Sequence, residues 1–588
     1  MKRLLRIDMT NLKCKLSELP QDYRKLGGRG LTSTLISNEV EPLCHPLGNN
    51  NKLVIAPGIL TGTACPNVPR TSVGGKSPLT GGIKESNCGG TSGQKLARLG
   101  IGAIVIEGKP KDEGLHLIHI SKDATKIKDA EELRGKGNYE LSSILRNKYG
   151  DHVGLISIGQ AGEMLLSGSS IAMVDHEGTP VRQAARGGMG ALMGSKGIKA
   201  IVIDDKNAPK TVAPANSTAF KEAVKNFTQI VSNRPRVKNR LPIYGTAGLL
   251  AFANEVNALP TRNFSTGQFE GIEKISGERL GEIIDERGGE RGHACYKGCI
   301  VRCSNVVMDK EGKYLTASLE FETLGMLGSN CGIDDLDAIA TMDRVCDDYG
   351  LDTIEMGGAI GVAMEAGIIP FGDSKNAVKL LKEVGQGTPL GRILGSGVQV
   401  TGKVFGVTRV PVVKGQGMPA WDPRTAMGTG LTVMTSPQGA DHTAGRVPGI
   451  REFDFFEPGA VAPLSLGMQI RVCVMDTVGL CMFSDGTPET TELLASLLSA
   501  YYDEDISSGD LLNLGTKVFE TERNFNRSAG ISELEDRLPE FMKKEPLPPT
   551  ESLFIVTQQE IDDTFKNLSS AVEKMISKGK TGFKSIKE

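Results

Sequence analysis

The chain has 588 residues, and its charges nearly balance, with 68 lysines and arginines against 70 aspartates and glutamates. This balance gives no reason to expect a polyanionic partner, and an aromatic content of 5% argues against stacking platforms for nucleic acid. The 73 glycines are well above the usual share of about 7%. Because no collagen-like period accompanies them, they predict tight turns and backbone that approaches a large ligand.

Neither a targeting segment nor a membrane span is evident in the sequence. The basic start lacks the apolar stretch of a signal peptide, and no apolar run reaches the roughly 20 residues of a membrane span. The 11 cysteines are an odd number, mostly scattered, and include one tight group. This usage favours reduced thiols and metal ligation over a disulfide framework. We therefore expect a soluble protein in the cytoplasm.

The predicted elements divide the chain into a strand-rich part and two helical parts. Residues 1–208 contain short β-branched runs between Gly, Pro and Asn turns, and a polar linker is expected near Pro209. Residues 209–400 and 401–588 have mainly helical spacing, apart from a segment expected to be extended, from Val400 to Asp422. The pattern predicts an α+β fold: an N-terminal β-sheet domain followed by two mainly α-helical domains. No internal repeat of fixed period is visible.

The sharpest local feature is the segment HACYKGCIVRC, in which Cys295, Cys299 and Cys303 are spaced C-x3-C-x3-C. Three thiolates this close can hold three corners of an iron–sulfur cluster when a fourth cysteine arrives from elsewhere. Zinc sites more often pair their ligands as C-x2-C twice. The same spacing also places three small apolar residues on one helical face, so both interpretations stay open at this point.

Two related hexapeptides accompany the cysteines, DDYGLD from Asp347 to Asp352 and DTVGLC from Asp476 to Cys481. The second offers a fourth thiolate. Both share the frame D-x-x-G-L, in which a helix-ending glycine predicts a turn whose amides and carboxylate could meet a polar heterocycle. The alternative is a plain pair of helix C-caps.

The sequence as a whole resembles the aldehyde:ferredoxin oxidoreductase family, from the N-terminus to about Pro549. The resemblance rests on segments that are jointly specific although each is weak alone. They include GGRGL, LTGTACPNVPR, KSPLTG, SNCGG, ARGGMGALMGSKGIKAI, LPTRNFSTGQFEG, LEFETLGMLGSNCGIDDL, MPAWDPR, GADHT, DTVGLC, ERNFN and LPEFMKKEPLP.

The resemblance implies an N-terminal sheet domain that forms the base for a bis-molybdopterin, with tungsten (or molybdenum) held by the pterin dithiolenes and magnesium bridging the pterin phosphates. It also implies one 4Fe-4S cluster held by Cys295, Cys299, Cys303 and Cys481, although the family often spaces the first pair C-x2-C. Pterin contacts are implied for Arg70, Asn87, Gly89, Arg182, Asp347, Leu351, Asp352, Asp476 and Leu480. Alternatives from the residues alone are salt-bridge roles for Arg70 and Arg182 and a helix N-cap role for Asp352.

For proton handling, the resemblance assigns Glu322 of LEFET and His442 of GADHT as catalytic residues. Two departures from the family matter. The place of its E-x-x-H iron motif reads TMDR, from Thr341 to Arg344, so the family's iron-bridged dimer is not expected. Ala444 also stands where some members carry a lysine, and the nearby Arg446 is a candidate to take over its contact.

The resemblance predicts oxidation of a small aldehyde to a carboxylic acid, with electrons passed through the cluster to ferredoxin or to an iron–sulfur partner subunit. No nucleic-acid partner is expected, and a homodimer or a hetero-oligomer stays open. Two other functions are also open. One is the tungsten subunit of an aromatic acyl-CoA reductase complex, and the other is an electron-transfer subunit that binds only the cluster.

Overall fold

A computed structural model describes residues 2–445, 461–566 and 568. Arg446 and most of the basic C-terminal tail therefore lie outside the described residues. The strands are β1 Arg3–Asp8, β2 Lys13–Glu18, β3 Leu53–Pro57, β4 Thr71–Lys76, β5 Ile83–Cys88, β6 Ile101–Glu107, β7 His116–Ile120, β8 Thr125–Asp129, β9 Gly154–Ser157, β10 Ile171–Met173, β11 Arg182–Ala184, β12 Ile198–Ile203, β13 Glu290–His293, β14 Ser304–Met308, β15 Tyr314–Ala317, β16 Val412–Val413 and β17 Gln416–Gly417.

Helices are sparse among the first twelve strands and dominate after residue 216. They are α1 Gly28–Glu39, α2 Ser92–Arg98, α3 Asn138–Tyr149, α4 Gln160–Glu163, α5 Met189–Ser195, α6 Ser217–Ser232, α7 Leu241–Tyr244, α8 Leu250–Glu255, α9 Ile272–Ile275, α10 Gly277–Arg287, α11 Phe321–Thr323, α12 Leu336–Tyr349, α13 Thr353–Glu365, α14 Ser374–Gln386, α15 Pro389–Gly395, α16 Val398–Phe405, α17 Met427–Thr435, α18 Val461–Val478, α19 Pro488–Tyr502, α20 Ser508–Ser528, α21 Phe541–Lys544 and α22 Gln558–Lys566. The predicted α+β class, with N-terminal sheets and a mainly helical remainder, is confirmed.

The first twelve strands form two six-stranded sheets that have the same topology. The first sheet has the order β2-β1-β6-β3-β4-β5, and the second, read from its β8 edge, has the order β8-β7-β12-β9-β10-β11. In each sheet one pair of central strands is parallel, β1 with β6 and β7 with β12, and the other neighbours are antiparallel. The chain therefore contains a structural duplication that no sequence period indicated.

The two sheets pack face to face, with helix α1 on the outer face of the first sheet and helix α3 on the outer face of the second. Leu5 and Ile7 of β1 lie in the same buried cluster as Ile201 of β12, whereas Leu4 points the other way, against α1. On the second sheet, Val202 points outward into the cluster that contains α3. Both faces of the central strands β6 and β12 are buried, which explains why their sequences are mainly apolar. Each fully buried Ile or Leu contributes roughly 1.5–3 kcal/mol.

Two features of the helical region differ from simple sequence reasoning. The expected extended segment from Val400 is helical up to Phe405, so that prediction was wrong for these residues. In α16 the buried positions Val398, Thr401 and Gly402 follow the i, i+3, i+4 spacing of a helix, and Gly406 ends it in the left-handed conformation. The second feature is α18, which is long and apolar enough to cross a membrane, but 72% of it is buried inside the protein.

Candidate active site

One cavity of about 320 Å³ lies where the two sheets meet the helical region. Thirteen of the fifteen site residues predicted from the sequence line this cavity. The lining members are Arg70, Asn87, Gly89, Arg182, Cys295, Cys299, Cys303, Glu322, Asp347, Leu351, Asp352, His442 and Cys481. The other two, Asp476 and Leu480, are not among the lining residues.

The four cysteines come from two loops, and Asn67 joins those loops. Cys295, Cys299 and Cys303 lie between β13 and β14, and Cys481 follows α18. The Asn67 carbonyl accepts the Cys481 N–H at 2.8 Å, and its side-chain oxygen accepts the Ile300 N–H at 3.0 Å. This asparagine therefore fixes the two cysteine-bearing segments relative to each other.

Two arginines supply positive charge to these thiols. The Arg70 guanidinium donates to Cys481 Sγ at 3.6 Å, and Arg182 donates to Ser304 Oγ at 3.1 Å. A hydrogen bond from Cys299, together with the charges of Arg182 and Arg70, lowers the pKa of Cys295 to about 6. Neither arginine forms a salt bridge with a carboxylate within the described residues, so the simple salt-bridge alternative finds no support there.

The DTVGLC segment lies at the C-terminal end of α18, against the first sheet. Gly479 has the positive φ of a helix-ending glycine, as predicted. The Asp476 carboxylate accepts a hydrogen bond from the Asn87 amide at 3.1 Å and from Arg29 at 3.3 Å. Arg29 in turn donates to both oxygens of the buried Glu522, at 2.8 and 2.7 Å. Burial raises the pKa of Asp476 to about 6 even though Arg29 opposes the shift. Asp476 is thus connected to the cavity by its hydrogen bond with Asn87, which lines the cavity.

The DDYGLD segment lies at the C-terminal end of α12, against the second sheet. The Asp347 carboxylate accepts from the Gln183 amide at 3.0 Å and from the Tyr139 hydroxyl at 3.5 Å. Burial, reinforced by the neighbouring Asp343, raises the pKa of Asp347 well above its usual range. Asp352 caps α13, as the N-cap alternative anticipated, and its other oxygen lies 3.2 Å from Arg186. Asp352 therefore combines a capping role with a place in the cavity wall.

A network of buried charges holds the loop that contains His442. Arg186 donates to the carbonyl of Ala440 at 2.7 Å and to that of Gly417, and Lys84 forms an ion pair with Asp441. Burial would raise the pKa of Asp441, but the charges of Lys84 and His442 hold it well below its usual range. This loop is fixed by charged hydrogen bonds, which are stronger than neutral ones.

Glu322 and His442 both border the cavity. Glu322 Oε2 accepts the Ala420 N–H at 2.7 Å, which holds this carboxylate at the start of a π-helical turn, Leu324–Gly328. The His442 side chain is 26% exposed, and its Nδ1 has no hydrogen-bond partner among the residues the structure covers. The rings of Phe321 and Trp421, 4.9 Å apart, form an apolar part of the same wall.

Several residues of this site were not identified from the sequence. Arg186 lies inside the matching segment ARGGMG, and Lys84 lies between the matching segments KSPLTG and SNCGG, but nothing in these segments identifies the partners of the two residues. Glu320, whose burial raises its pKa to about 7, lies two positions from Glu322 in LEFET and bonds to Thr246. A sequence signal for these residues did exist, because each is a charged residue within an otherwise apolar or glycine-rich segment. Charged residues are rarely buried without a partner, so such positions indicate a buried ion pair or a ligand contact.

Comparison with known proteins identifies the chain's relatives. Residues 4–205 match the family described as "Aldehyde ferredoxin oxidoreductase, N-terminal domain", and residues 222–568 match "Aldehyde ferredoxin oxidoreductase, domains 2 & 3". The tungsten-containing aldehyde ferredoxin oxidoreductase of Pyrococcus horikoshii is 33% identical over 578 residues, covering 93% of this chain and 92% of the relative. The corresponding protein of Thermococcus kodakarensis is also 33% identical, with the same coverage.

More distant relatives have other functions. The "Aliphatic sulfonate oxidoreductase, WOR-like subunit" of Pyrococcus furiosus is 28% identical over 486 residues, covering 75% of this chain and 74% of the relative. The active-site complex BamBC of benzoyl coenzyme A reductase, solved with 1,5-dienoyl-CoA, has a chain that superposes with a TM-score of 0.79 over 98% of both chains, at 19% identity. At this identity the likeness establishes the shared fold. The two matched families and the 33% identity show that this chain belongs to the aldehyde ferredoxin oxidoreductase family and is an oxidoreductase.

Proposed function

We propose that this protein oxidises an aldehyde to a carboxylic acid and passes the two electrons to a ferredoxin or to an iron–sulfur partner subunit. The supporting observation is that one cavity is bordered by Glu322 and His442 together with four cysteines and residues of the DDYGLD turn. The balance is one aldehyde and one water giving one carboxylic acid, two protons and two electrons.

The residues of the cavity fit the cofactors of the family. Buried polar atoms point to an absent partner: Nε of Arg182, Nε of Arg186 and Nδ1 of His442 have no hydrogen-bond partner in the described chain. At Gly89, a Cβ atom would lie 3.0 Å from Cys295 Sγ, so a side chain there would crowd the thiols. We propose that the four cysteines hold a 4Fe-4S cluster. The proposed pterin contacts are Arg70, Asn87, Gly89, Arg182, Asp347, Leu351, Asp352, Asp476 and Leu480, with magnesium at the pterin phosphates.

When bound, a tungsten- or molybdenum-pterin centre supplies the two-electron redox chemistry, and the cluster carries single electrons outward. The chain's own part is to bind, orient and move protons. The Glu322 carboxylate, held through Oε2 by Ala420, accepts a proton from the attacking water. His442 donates a hydrogen bond to the aldehyde oxygen as negative charge develops there. Phe321 and Trp421 keep bulk water from the carbonyl group.

The variant Glu322→Gln tests this assignment. Glutamine keeps an oxygen for the Ala420 N–H but cannot act as a base, so turnover should fall at least a hundredfold with tungsten and iron content unchanged. Glu311 is exposed at the surface, so Glu311→Gln serves as the matched control and should keep full activity. Loss of metal from Glu322→Gln would assign this residue a structural role instead.

A substrate comparison separates the aldehyde function from the aromatic acyl-CoA reductase function. Both would use the same cofactor residues, so only turnover distinguishes them. We expect viologen reduction with aliphatic or aromatic aldehydes and no oxidation of reduced viologen by aromatic thioesters. About one tungsten or molybdenum and about four irons per chain are also expected. Iron alone would support an electron-transfer subunit.

A further inference from the structure

A second group of metal-ligand residues lies outside the cavity. The ligand atoms of Glu177, Glu290 and His293 all lie within 4.8 Å of one another, and these three residues do not line the cavity. We propose that these residues bind one divalent transition-metal ion, of the Zn²⁺ or Fe²⁺ type. The site would be additional to the cofactors of the proposed function and does not depend on that function.

A buried carboxylate orients the histidine of this site. The side chains of His293 and Asp175 are each 1% exposed, and His293 Nε2 lies 3.2 Å from Asp175 Oδ2. Asp175 is itself fixed, because its Oδ1 accepts the N–H groups of Glu177 at 2.9 Å and Thr179 at 3.0 Å. A carboxylate that accepts one ring N–H of a histidine leaves the other nitrogen as the metal ligand. His293 Nδ1, the free nitrogen in that tautomer, lies 3.1 Å from Glu290.

A second histidine ring lies beside the first. His176 stacks on His293 with ring centroids 5.2 Å apart and an interplanar angle of 28°. The Nδ1 atom of His176 is buried and has no hydrogen-bond partner in the described residues. The group therefore offers one oriented imidazole, two carboxylates and a further ring nitrogen close by.

This ligand chemistry selects the class of ion. Imidazole nitrogen suits Zn²⁺ and Fe²⁺, whereas Ca²⁺ and Mg²⁺ prefer oxygen ligands alone. Two carboxylates and one neutral imidazole also neutralise a divalent charge, and Zn²⁺ accepts all three ligand types at four-coordinate sites. Water completes the shell, because Glu177 and Glu290 are exposed.

The site would connect two parts of the chain that surround the cysteines. Glu177 belongs to the turn between β10 and β11 of the second sheet, and β11 begins with Arg182. Glu290 and His293 belong to β13, which leads directly to Cys295. An ion at this place would fasten the start of the cysteine loop to the sheet that supplies Arg182.

The alternative is a protonated His293 that bridges Asp175 and Glu290 without any metal. A titration of the anaerobically purified holoenzyme with Zn²⁺ against a competing chromophoric chelator distinguishes the two. We expect one site with a Kd in the micromolar range or tighter in the wild type. The double variant Glu177→Gln with Glu290→Gln should bind Zn²⁺ at least a hundredfold more weakly, because two of the ligands are lost. Both substitutions are at the surface, so folding is preserved.

Two further variants make the test specific. Asp175→Asn removes only the orienting carboxylate, and it should weaken Zn²⁺ binding about 10–100-fold. The exposed pair Glu286→Gln with Glu311→Gln changes the net charge equally and should leave the affinity unchanged. Iron content is measured in every variant, so a change in cluster loading is recognised separately. Equal Zn²⁺ affinity in the wild type and the Glu177/Glu290 variant, or no site tighter than about 0.1 mM, would overturn the proposal.

Discussion

The two β-sheets each receive one D-x-x-G-L turn, and they do so at equivalent places. Gly58, just after β3, would collide with Gly479 if it carried a Cβ atom, and Gly159, just after β9, would collide with Tyr349 in the same way. The backbone therefore repeats the same close approach of a helix end in both halves. Because β3 and β9 hold equivalent positions in their sheets, this similarity follows from the shared topology.

The electrostatics of the two turns differ although the backbone is the same. The Asp476 side chain is paired with the buried cation Arg29, and its pKa is about 6. The described hydrogen-bond partners of the Asp347 side chain are neutral, and its pKa lies well above its usual range because of burial. Arg29 therefore stabilises the charged form of Asp476, whereas burial beside Asp343 disfavours the charged form of Asp347. Topology positions the two turns, but the neighbouring side chains determine their charge.

The last position of each turn differs as well. Cys481 lines the cavity together with the three other cysteines, whereas Asp352 caps α13 and faces Arg186. Of the two turns, only the one next to the first sheet therefore contributes a thiol. The predictions that follow test this asymmetry, and they run from the largest expected effect to the smallest.

The largest effect is expected at these final positions. Cys481→Ser should remove most of the iron and abolish turnover, because a serine hydroxyl is a poor cluster ligand. Asp352→Asn should keep the iron, since asparagine is an equally good N-cap. Iron analysis and electron paramagnetic resonance after reduction check both. Full iron in the serine variant would show that this cysteine is not a ligand.

The next effect concerns the buried charge that accompanies Asp476. Arg29→Met leaves Glu522 buried without its cation, so the free energy of unfolding should fall by about 3–5 kcal/mol. The matched control is Arg344→Met, in the helix α12 that leads to the second turn. Arg344 lies over the Tyr139 ring and donates to the Leu315 carbonyl at 2.8 Å, so about 1 kcal/mol is expected there. Chemical denaturation measures both, and equal losses would contradict the asymmetry.

A smaller effect comes from replacing each turn's aspartate with asparagine. Asp347→Asn should cost less than about 1 kcal/mol at pH 7.5, because burial already disfavours the charged form of Asp347 and asparagine keeps its hydrogen bonds. Asp476→Asn should cost about 1–3 kcal/mol, since the ion pair with Arg29 is lost. Denaturant midpoints of the two variants check the order. The reverse order would show that Asp347 is the charged member.

The smallest effect is a change in pH dependence. Burial raises the pKa of Asp343 from 3.8 to about 7, so the folded state holds a proton that the unfolded state has lost between those values. Stability should therefore fall as pH rises from about 4 to about 7. Asp343→Asn removes this dependence while retaining an acceptor for the Thr316 hydroxyl at 2.7 Å. Thermal midpoints between pH 5 and 8 should slope less steeply in the variant, and parallel slopes would contradict the assignment.

The sequence by itself determined the fold class and identified residues that line one cavity in the folded chain. Strands such as β3, β6 and β12 are continuous β-branched runs, and local sterics and burial of both faces leave them few alternatives. The helix-ending glycines Gly350 and Gly479 were predicted correctly, because a turn of this kind needs a positive φ. Residues inside matching motifs, such as Glu322 and His442, could be placed by resemblance. The division of the chain at residues 208 and 400 stays a prediction.

Only the tertiary structure revealed the duplicated sheets and the partners of the buried charges. Strand order depends on long-range pairing, which leaves no local period in the sequence. Arg29 and Glu522 are 493 positions apart, and Lys84 and Asp441 are 357 apart. A buried charge needs a counter-charge, but the sequence does not identify which one the folded chain brings within reach. The same reason explains why Asn67 and the group of Glu177, Glu290 and His293 were not anticipated.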